Sequence, residues 1–129
     1  MAKESTAKKS ALSISEVEFQ ILMAVADAPR HGYGIMQEVA TSTEGAVQLG
    51  PGTLYGAIKR MLAAGLIEES PRRPAAKDDD ERRRCYYRIT KVGQRVAEAE
   101  AKRLAAILQL AMAKKFISRQ ELAVEGGFA

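Results

Sequence analysis

Apolar positions recur at helical spacing along most of this chain, and the rhythm breaks where glycine, proline and small polar residues cluster. Ser15 and Glu18 stand three apart ahead of an apolar run, the mark of a capped helix start. A first helix is therefore expected over Glu16–Asp27, stopping before Pro29. Val17, Ile21, Ala24 and Val25 make one face of it, and Phe19, Leu22, Met23 and Ala26 cover the other. A helix apolar on both sides must be buried on both. One small core covers only one of them, so a second helix is expected against Phe19, Leu22 and Met23, either the chain's own last helix or a partner's.

The run His31-Gly32-Tyr33-Gly34 leads into a second helix over Tyr33–Thr41, which His31 begins and whose Ile35, Met36 and Val39 are available to the core. Thr41 to Gly45 ends it, and Val47-Gln48-Leu49 reads as a short extended segment. Gly50-Pro51 opens a third helix, proline suiting a first helical position where its missing N–H would have no partner anyway. Leu54, Ile58, Met61 and Leu62 share one stripe of this helix. Thr53, Gly56 and Arg60 lie opposite, with Lys59 at the edge, and Gly65 closes the helix.

Two strands are expected next, Leu66–Ser70 and Arg83–Ile89, joined by a turn-rich loop longer than most hairpin loops. Strand alternation points Cys85, Tyr87 and Ile89 one way and Tyr86 and Arg88 the other, so Cys85 is expected to be a small buried hydrophobe. Thr90 caps a last helix over Lys91–Ile117, roughly 40 Å long at about 1.5 Å per residue. Its stretch Leu104–Ala113 is apolar almost all round. Leu104, Ile107, Leu108, Leu110 and Ala111 are therefore expected dimer contacts, together with Phe19, Leu22 and Met23.

The order helix-helix-helix-strand-strand-helix makes a mainly α protein with a small β-hairpin: a winged helix-turn-helix followed by a long C-terminal dimerisation helix. The expected organisation is a flexible basic arm over 1–11, a DNA-binding domain over 12–90, the dimerisation helix over 91–117 and a flexible tail over 118–129. In this architecture the third helix enters the major groove of double-stranded DNA. Thr53, Lys59 and Arg60 are the side chains placed to reach phosphates or bases, and Gly56, without a side chain, lets the backbone come close. Arg72, Arg73, Arg82, Arg83 and Arg84 flank the wing tip and are candidate phosphate contacts. The run Asp78-Asp79-Asp80-Glu81 would be repelled there and is expected to turn away from DNA.

Composition narrows the classes further. With 47% hydrophobic and 28% charged residues the chain reads as a folded globular domain, and a net charge of +4 is compatible with a polyanionic partner. Cys85 is the only cysteine, so no disulfide can form within the chain. The longest apolar run, Leu104–Ala113, falls well short of the ~20 residues that span a bilayer. A cytoplasmic protein with no membrane partner is expected. No nucleophile–base arrangement, phosphate-cradling glycine loop or metal-ligand spacing is present, so neither catalysis nor a cofactor is expected.

The residues also resemble a family. His31-Gly32-Tyr33-Gly34-Ile35, Pro51-Gly52-Thr53-Leu54-Tyr55, Gly65-Leu66-Ile67 and Arg84-Cys85-Tyr86-Tyr87-Arg88-Ile89-Thr90 stand in the order seen in PadR-family transcriptional regulators, over about residues 12 to 115. The chain is similar to the short subgroup with one C-terminal helix. That resemblance implies a homodimer, repression from palindromic operators, and release by a small molecule or a protein partner, with a small hydrophobic or aromatic effector expected. It places Tyr33, Thr53, Tyr55, Lys59 and Arg60 on or near the DNA-reading unit. The family often has proline where Gly56 stands and a basic residue where Cys85 stands. The main rival reading is a protein-interaction module on the same scaffold without a DNA role; binding to a membrane surface ranks behind it.

Overall fold

The computed structural model describes residues 13–71 and 85–125. Helices α1 (Glu16–Ala24), α2 (Gly32–Ser42) and α3 (Pro51–Ala63) precede the strands β2 (Ile67–Glu69) and β3 (Tyr86–Ile89). A two-residue strand, β1 (Arg30–His31), lies between α1 and α2, and helices α4 (Lys91–Ala113) and α5 (Arg119–Glu125) complete the chain. The fold is mainly helical with a small antiparallel sheet in the order β1-β3-β2. The expected two-stranded hairpin is thus a three-stranded sheet, because Arg30 and His31 pair with Tyr87 and Tyr86.

Local chemistry explains most boundaries. The Ser15 hydroxyl accepts the Glu18 N–H at 3.1 Å and the Glu18 carboxylate accepts the Ser15 N–H at 2.9 Å, a reciprocal cap at the start of α1. That helix ends three residues earlier than expected. The Arg30 Nε–H donates to the Ala24 carbonyl at 2.6 Å, and Val25 leaves helical geometry. Gly65, at φ +74°, closes α3 through the Leu66 N–H bond to Met61 and its own N–H bond to Leu62.

The same closure ends α4 without a glycine. Lys115 takes φ +65°, its N–H bonds Met112, and the Phe116 N–H bonds Ala111. The last long helix therefore stops at Ala113 instead of Ile117, a length of about 35 Å at ~1.5 Å per residue. Part of the expected flexible tail is helical too. Ser118 and Glu121 exchange backbone N–H bonds at 3.0 Å each and start α5. Val47-Gln48-Leu49 forms no strand.

The core comprises Ile21, Leu22, Ala24, Val25, Ile35, Val39, Leu54, Ala57, Ile58, Met61, Leu66, Ile67, Tyr87 and Val96. Leu22 corrects the reading of α1: it is fully buried within its own chain and cannot be a dimer contact. The reason is that α2, α3 and α4 all pack on α1, so one chain covers more than one of its sides. Phe19 is half-buried and Met23 exposed, which leaves a narrower open strip on α1. At the other end of the domain, Thr90 caps α4 by accepting the Gly93 N–H, and its own N–H donates to the Leu66 carbonyl. Gly93 approaches that same carbonyl so closely that a Cβ would overlap it. This contact fixes the direction in which α4 leaves the sheet.

Candidate nucleic-acid interface

The third helix presents two chemically distinct sides. Leu54, Ala57, Ile58 and Met61 are buried, while Thr53, Tyr55, Lys59 and Arg60 are exposed. The buried stripe is centred closer to Ala57 than the large apolar residues alone suggest, and Leu62 lies outside it, 36% exposed. Counting about 100° per residue from this centre puts Gly56 and Lys59 in the middle of the open face. Lys59 is therefore central and not at the edge. A Cβ on Gly56 would meet nothing nearer than the Arg60 guanidinium at 3.6 Å, so its backbone is shielded by no other element.

Charge pairing separates these cations from Arg30, Arg88 and Arg103, though not from the lysines and arginines along α4 and after it. Arg30 is held by the Ala24 carbonyl and lies 3.6 Å from Glu38; Arg88 bonds Glu68 across β3 and β2 at 2.8 Å. Arg103 grips Glu100 with two bonds of 2.8 and 2.7 Å. Among the described residues, Lys59 and Arg60 have no such partner. Two unpaired, solvated cations on one face keep their full charge for an anion.

The amino end of α3 adds donors. Its cap residue, Gly50, offers no side-chain bond, and adding a Cβ to Gly50 or Gly52 would meet nothing within 4 Å. Pro51 has no N–H and that of Leu54 bonds Gly50, so the open donors are the N–H groups of Gly52 and Thr53, in the arrangement that favours phosphate. Beside it, His31 caps α2 by accepting the Gly34 N–H on Nδ1 at 3.0 Å, as expected of a residue that begins the second helix. Its ring lies parallel to Tyr33, with centroids 6.5 Å apart, and edge-on to Tyr86 at 5.2 Å. The Tyr55 ring sits over Gly32, which has no room for a Cβ. Tyr33 and Tyr55 are thereby brought to one corner, and both are about half exposed.

That corner contains a cavity of about 420 Å³ lined by His31, Gly32, Tyr33, Tyr55, Cys85 and Tyr87. Cys85 is exposed in it, which corrects the expectation of a buried hydrophobe. It does share a face with Tyr87, but that face borders an open cavity. Tyr86 is buried as well, because β1 covers it through His31. Residue composition gave no signal for either, since the covering strand is only two residues long. The wing arginines Arg72, Arg73, Arg82, Arg83 and Arg84, the acidic run and the basic arm lie outside the described residues.

On the far side of the domain, α4 carries Leu104, Ile107 and Leu110 exposed, with Leu108 and Ala111 half-buried. A groove of about 470 Å³ runs between α1 and α4, bordered by Phe19, Met23, Leu104 and the Glu100–Arg103 pair. Glu100 is 5% exposed, and its bonds to Arg103 hold its carboxyl below the ordinary value. No helix among the described residues is long and apolar enough to cross a membrane.

Residues 21–99, more than half of the chain, match the transcriptional regulator PadR-like family. The chain belongs to the PadR-like family. The fold agrees with solved members. A PadR-family transcription regulator from Clostridium difficile superposes with a TM-score of 0.64 at 24% identity, covering 81% of this chain and 100% of that one. A PadR-like regulator from Bacillus cereus gives 0.61 at 21% identity, with 80% and 93% covered. An uncharacterised 37.1 kDa protein in a transposon of Streptomyces fradiae is 34% identical over 91 residues, 70% of this chain. The match spans only 24% of that protein's length. The winged-helix scaffold and membership of a regulator family are thus established for the PadR-like chain.

Proposed function

We propose that this PadR-like regulator binds double-stranded DNA sequence-specifically as a homodimer and represses transcription from a palindromic operator. The observation that carries the reading is the exposed face of α3, where Lys59 and Arg60 stand unpaired beside Gly56 and an open helix terminus. Thr53, Tyr33 and Tyr55 flank this face and contact the phosphate backbone, while Lys59 and Arg60 divide between phosphates and base edges. The wing arginines extend the contact along the backbone.

The homodimer rests on the apolar strip of Met23, Leu104, Ile107 and Leu110, all at least 40% exposed in the single chain. Contiguous apolar surface of this kind marks an interaction site. A second copy, meeting it α4 to α4 and over the Phe19–Met23 side of α1, removes it from water. Two α3 helices related by the dimer axis then read two half-sites about one helical turn apart. The groove between α1 and α4, at about 470 Å³, has the size of a small-molecule site and is where an effector would act on the dimer.

Selection of duplexes from a random pool tests this reading. The expected product is an inverted repeat, bound by a species of twice the 14.0 kDa chain mass and released as salt rises. Recovery of no preferred sequence, with tight salt-insensitive binding to a protein instead, would support the interaction-module reading.

A further inference from the structure

The cavity beside α3 has features that duplex binding alone leaves unused. Cys85 is the chain's single thiol, and it opens onto a space of about 420 Å³. On the same face, two residues along, stands Tyr87, only 8% exposed, whose hydroxyl has no hydrogen-bond partner among the described residues. No fully enclosed side-chain oxygen among them lacks a partner, so this hydroxyl is reached by solvent, and the cavity that Tyr87 lines is its opening. A phenol hydroxyl that opens onto a cavity can exchange its water for a ligand oxygen there. Burial pushes the Tyr87 phenol above its ordinary value, so it keeps its proton near neutrality.

The remaining walls select shape. The parallel rings of His31 and Tyr33, 8° apart in plane, and the ring of Tyr55 present flat π surfaces. Gly32 contributes no side chain beneath Tyr55. A nucleophile, a proton donor and flat aromatic walls together suit a planar ring that carries an oxygen and an electrophilic carbon.

We propose that this cavity is a covalent site at which Cys85 captures a quinone, and that the adduct blocks duplex binding. The sulfur forms a bond to a ring carbon as the adjacent carbon–carbon π pair shifts through the ring to the carbonyl oxygen, which Tyr87 hydrogen-bonds. The thiol proton passes to solvent and one is returned to that oxygen. The displaced ring hydrogen leaves as a proton and reappears on the second oxygen when the ring becomes aromatic. The quinone is reduced to a hydroquinone thioether, and no further oxidant or reductant takes part. Tyr33 and Tyr55 border both this cavity and the proposed DNA contact, so an occupant stands where the backbone approaches. The blocking half of the proposal rests on the DNA-binding reading.

The test uses the full chain, with p-benzoquinone as the flat probe and acrylamide as a small non-aromatic electrophile. Each rate is normalised to that of free glutathione, and intact-mass and peptide analysis locate the adduct. Benzoquinone should show a normalised rate at least about tenfold above acrylamide, with one adduct per chain on Cys85. Tyr87→Phe should slow the quinone reaction about threefold to tenfold and leave the acrylamide rate alone. The adduct should weaken duplex binding at least about tenfold, and Cys85→Ser should bind duplex normally with or without quinone. Equal normalised rates, or an adduct that binds duplex as the unmodified chain does, would overturn the proposal. The rates are measured without DNA. If the unmodified chain binds no duplex, the DNA-binding reading fails and the blocking half with it, while the rate ratio and Tyr87→Phe still decide whether the cavity recognises quinones.

Discussion

Replacing Lys59 and Arg60 together with glutamine removes the two unpaired cations from the open face of α3. Each phosphate that a protein neutralises contributes about −0.9 to the slope of log affinity against log salt. With both residues of both protomers each engaging one phosphate, the double variant loses four contacts, and its slope is shallower by about 3.6. Between 50 and 200 mM salt, a change of about 0.6 in log concentration, the parent should lose about 150-fold more affinity than the variant. If one of the two reads a base edge instead, the slope change is about half as large, and preference for the operator over random duplex falls as well. Fluorescence anisotropy over four salt concentrations, with operator and random duplexes, measures both quantities. Neither side chain is buried or ion-paired, so stability should change by no more than about 0.5 kcal/mol. A variant as stable as the parent with an unchanged salt slope would refute the assignment of this face.

Other parts of the molecule make separate predictions. Gly93→Ala drives a Cβ into the Leu66 carbonyl, and the backbone cannot rotate away, so thermal or denaturant unfolding should show a loss of about 2–3 kcal/mol. Leu110→Asp places a charge on the apolar strip of α4, and light scattering after size exclusion should then report the 14.0 kDa monomer; a retained dimer would move the interface elsewhere. Glu100 is held ionised by Arg103, its folded value lying below the unfolded one, so its contribution to stability is present above the ordinary glutamate value and is lost as pH falls through the folded one. Glu100→Gln should flatten stability against pH in the acid range below about 4.3, and an unchanged profile would show that the pair does not matter there.

Much of this architecture is legible in the residues because each element carries its own local signal. The Ser15–Glu18 cap, Pro51 at the head of α3, Gly65 at its foot and Thr90 before α4 all act where the sequence suggests. Several of the failures share one kind of cause: structure that depends on a neighbour distant in sequence. β1 is two residues long and exists only because β3 lies beside it. It also takes Tyr86 out of solvent, while the space next to it exposes Cys85. Leu22 is buried because three helices of the same chain converge on α1; periodicity along α1 calls for burial on both sides but does not reveal whether the same chain or a partner supplies it.

The end of α4 differs from these. Lys115 adopts a left-handed conformation with no glycine to announce it, yet Ser118 and Glu121 repeat the capping pattern of Ser15 and Glu18. The start of α5 is thus marked in the sequence by the same local chemistry as the start of α1. On α3, the small side chain of Ala57 shifts the centre of the buried stripe, which moves Lys59 into the middle of the open side. The five wing arginines lie beyond the described residues and stay sequence-based candidates.

Photocrosslinking from a single benzophenone side chain at position 59, in the presence of the selected duplex, addresses the open face of α3 most directly. A covalent product with DNA is expected, confined to bases and sugars where each α3 meets its half-site and suppressed by high salt. A product joining position 59 to a second protein chain, with none to DNA, would contradict it.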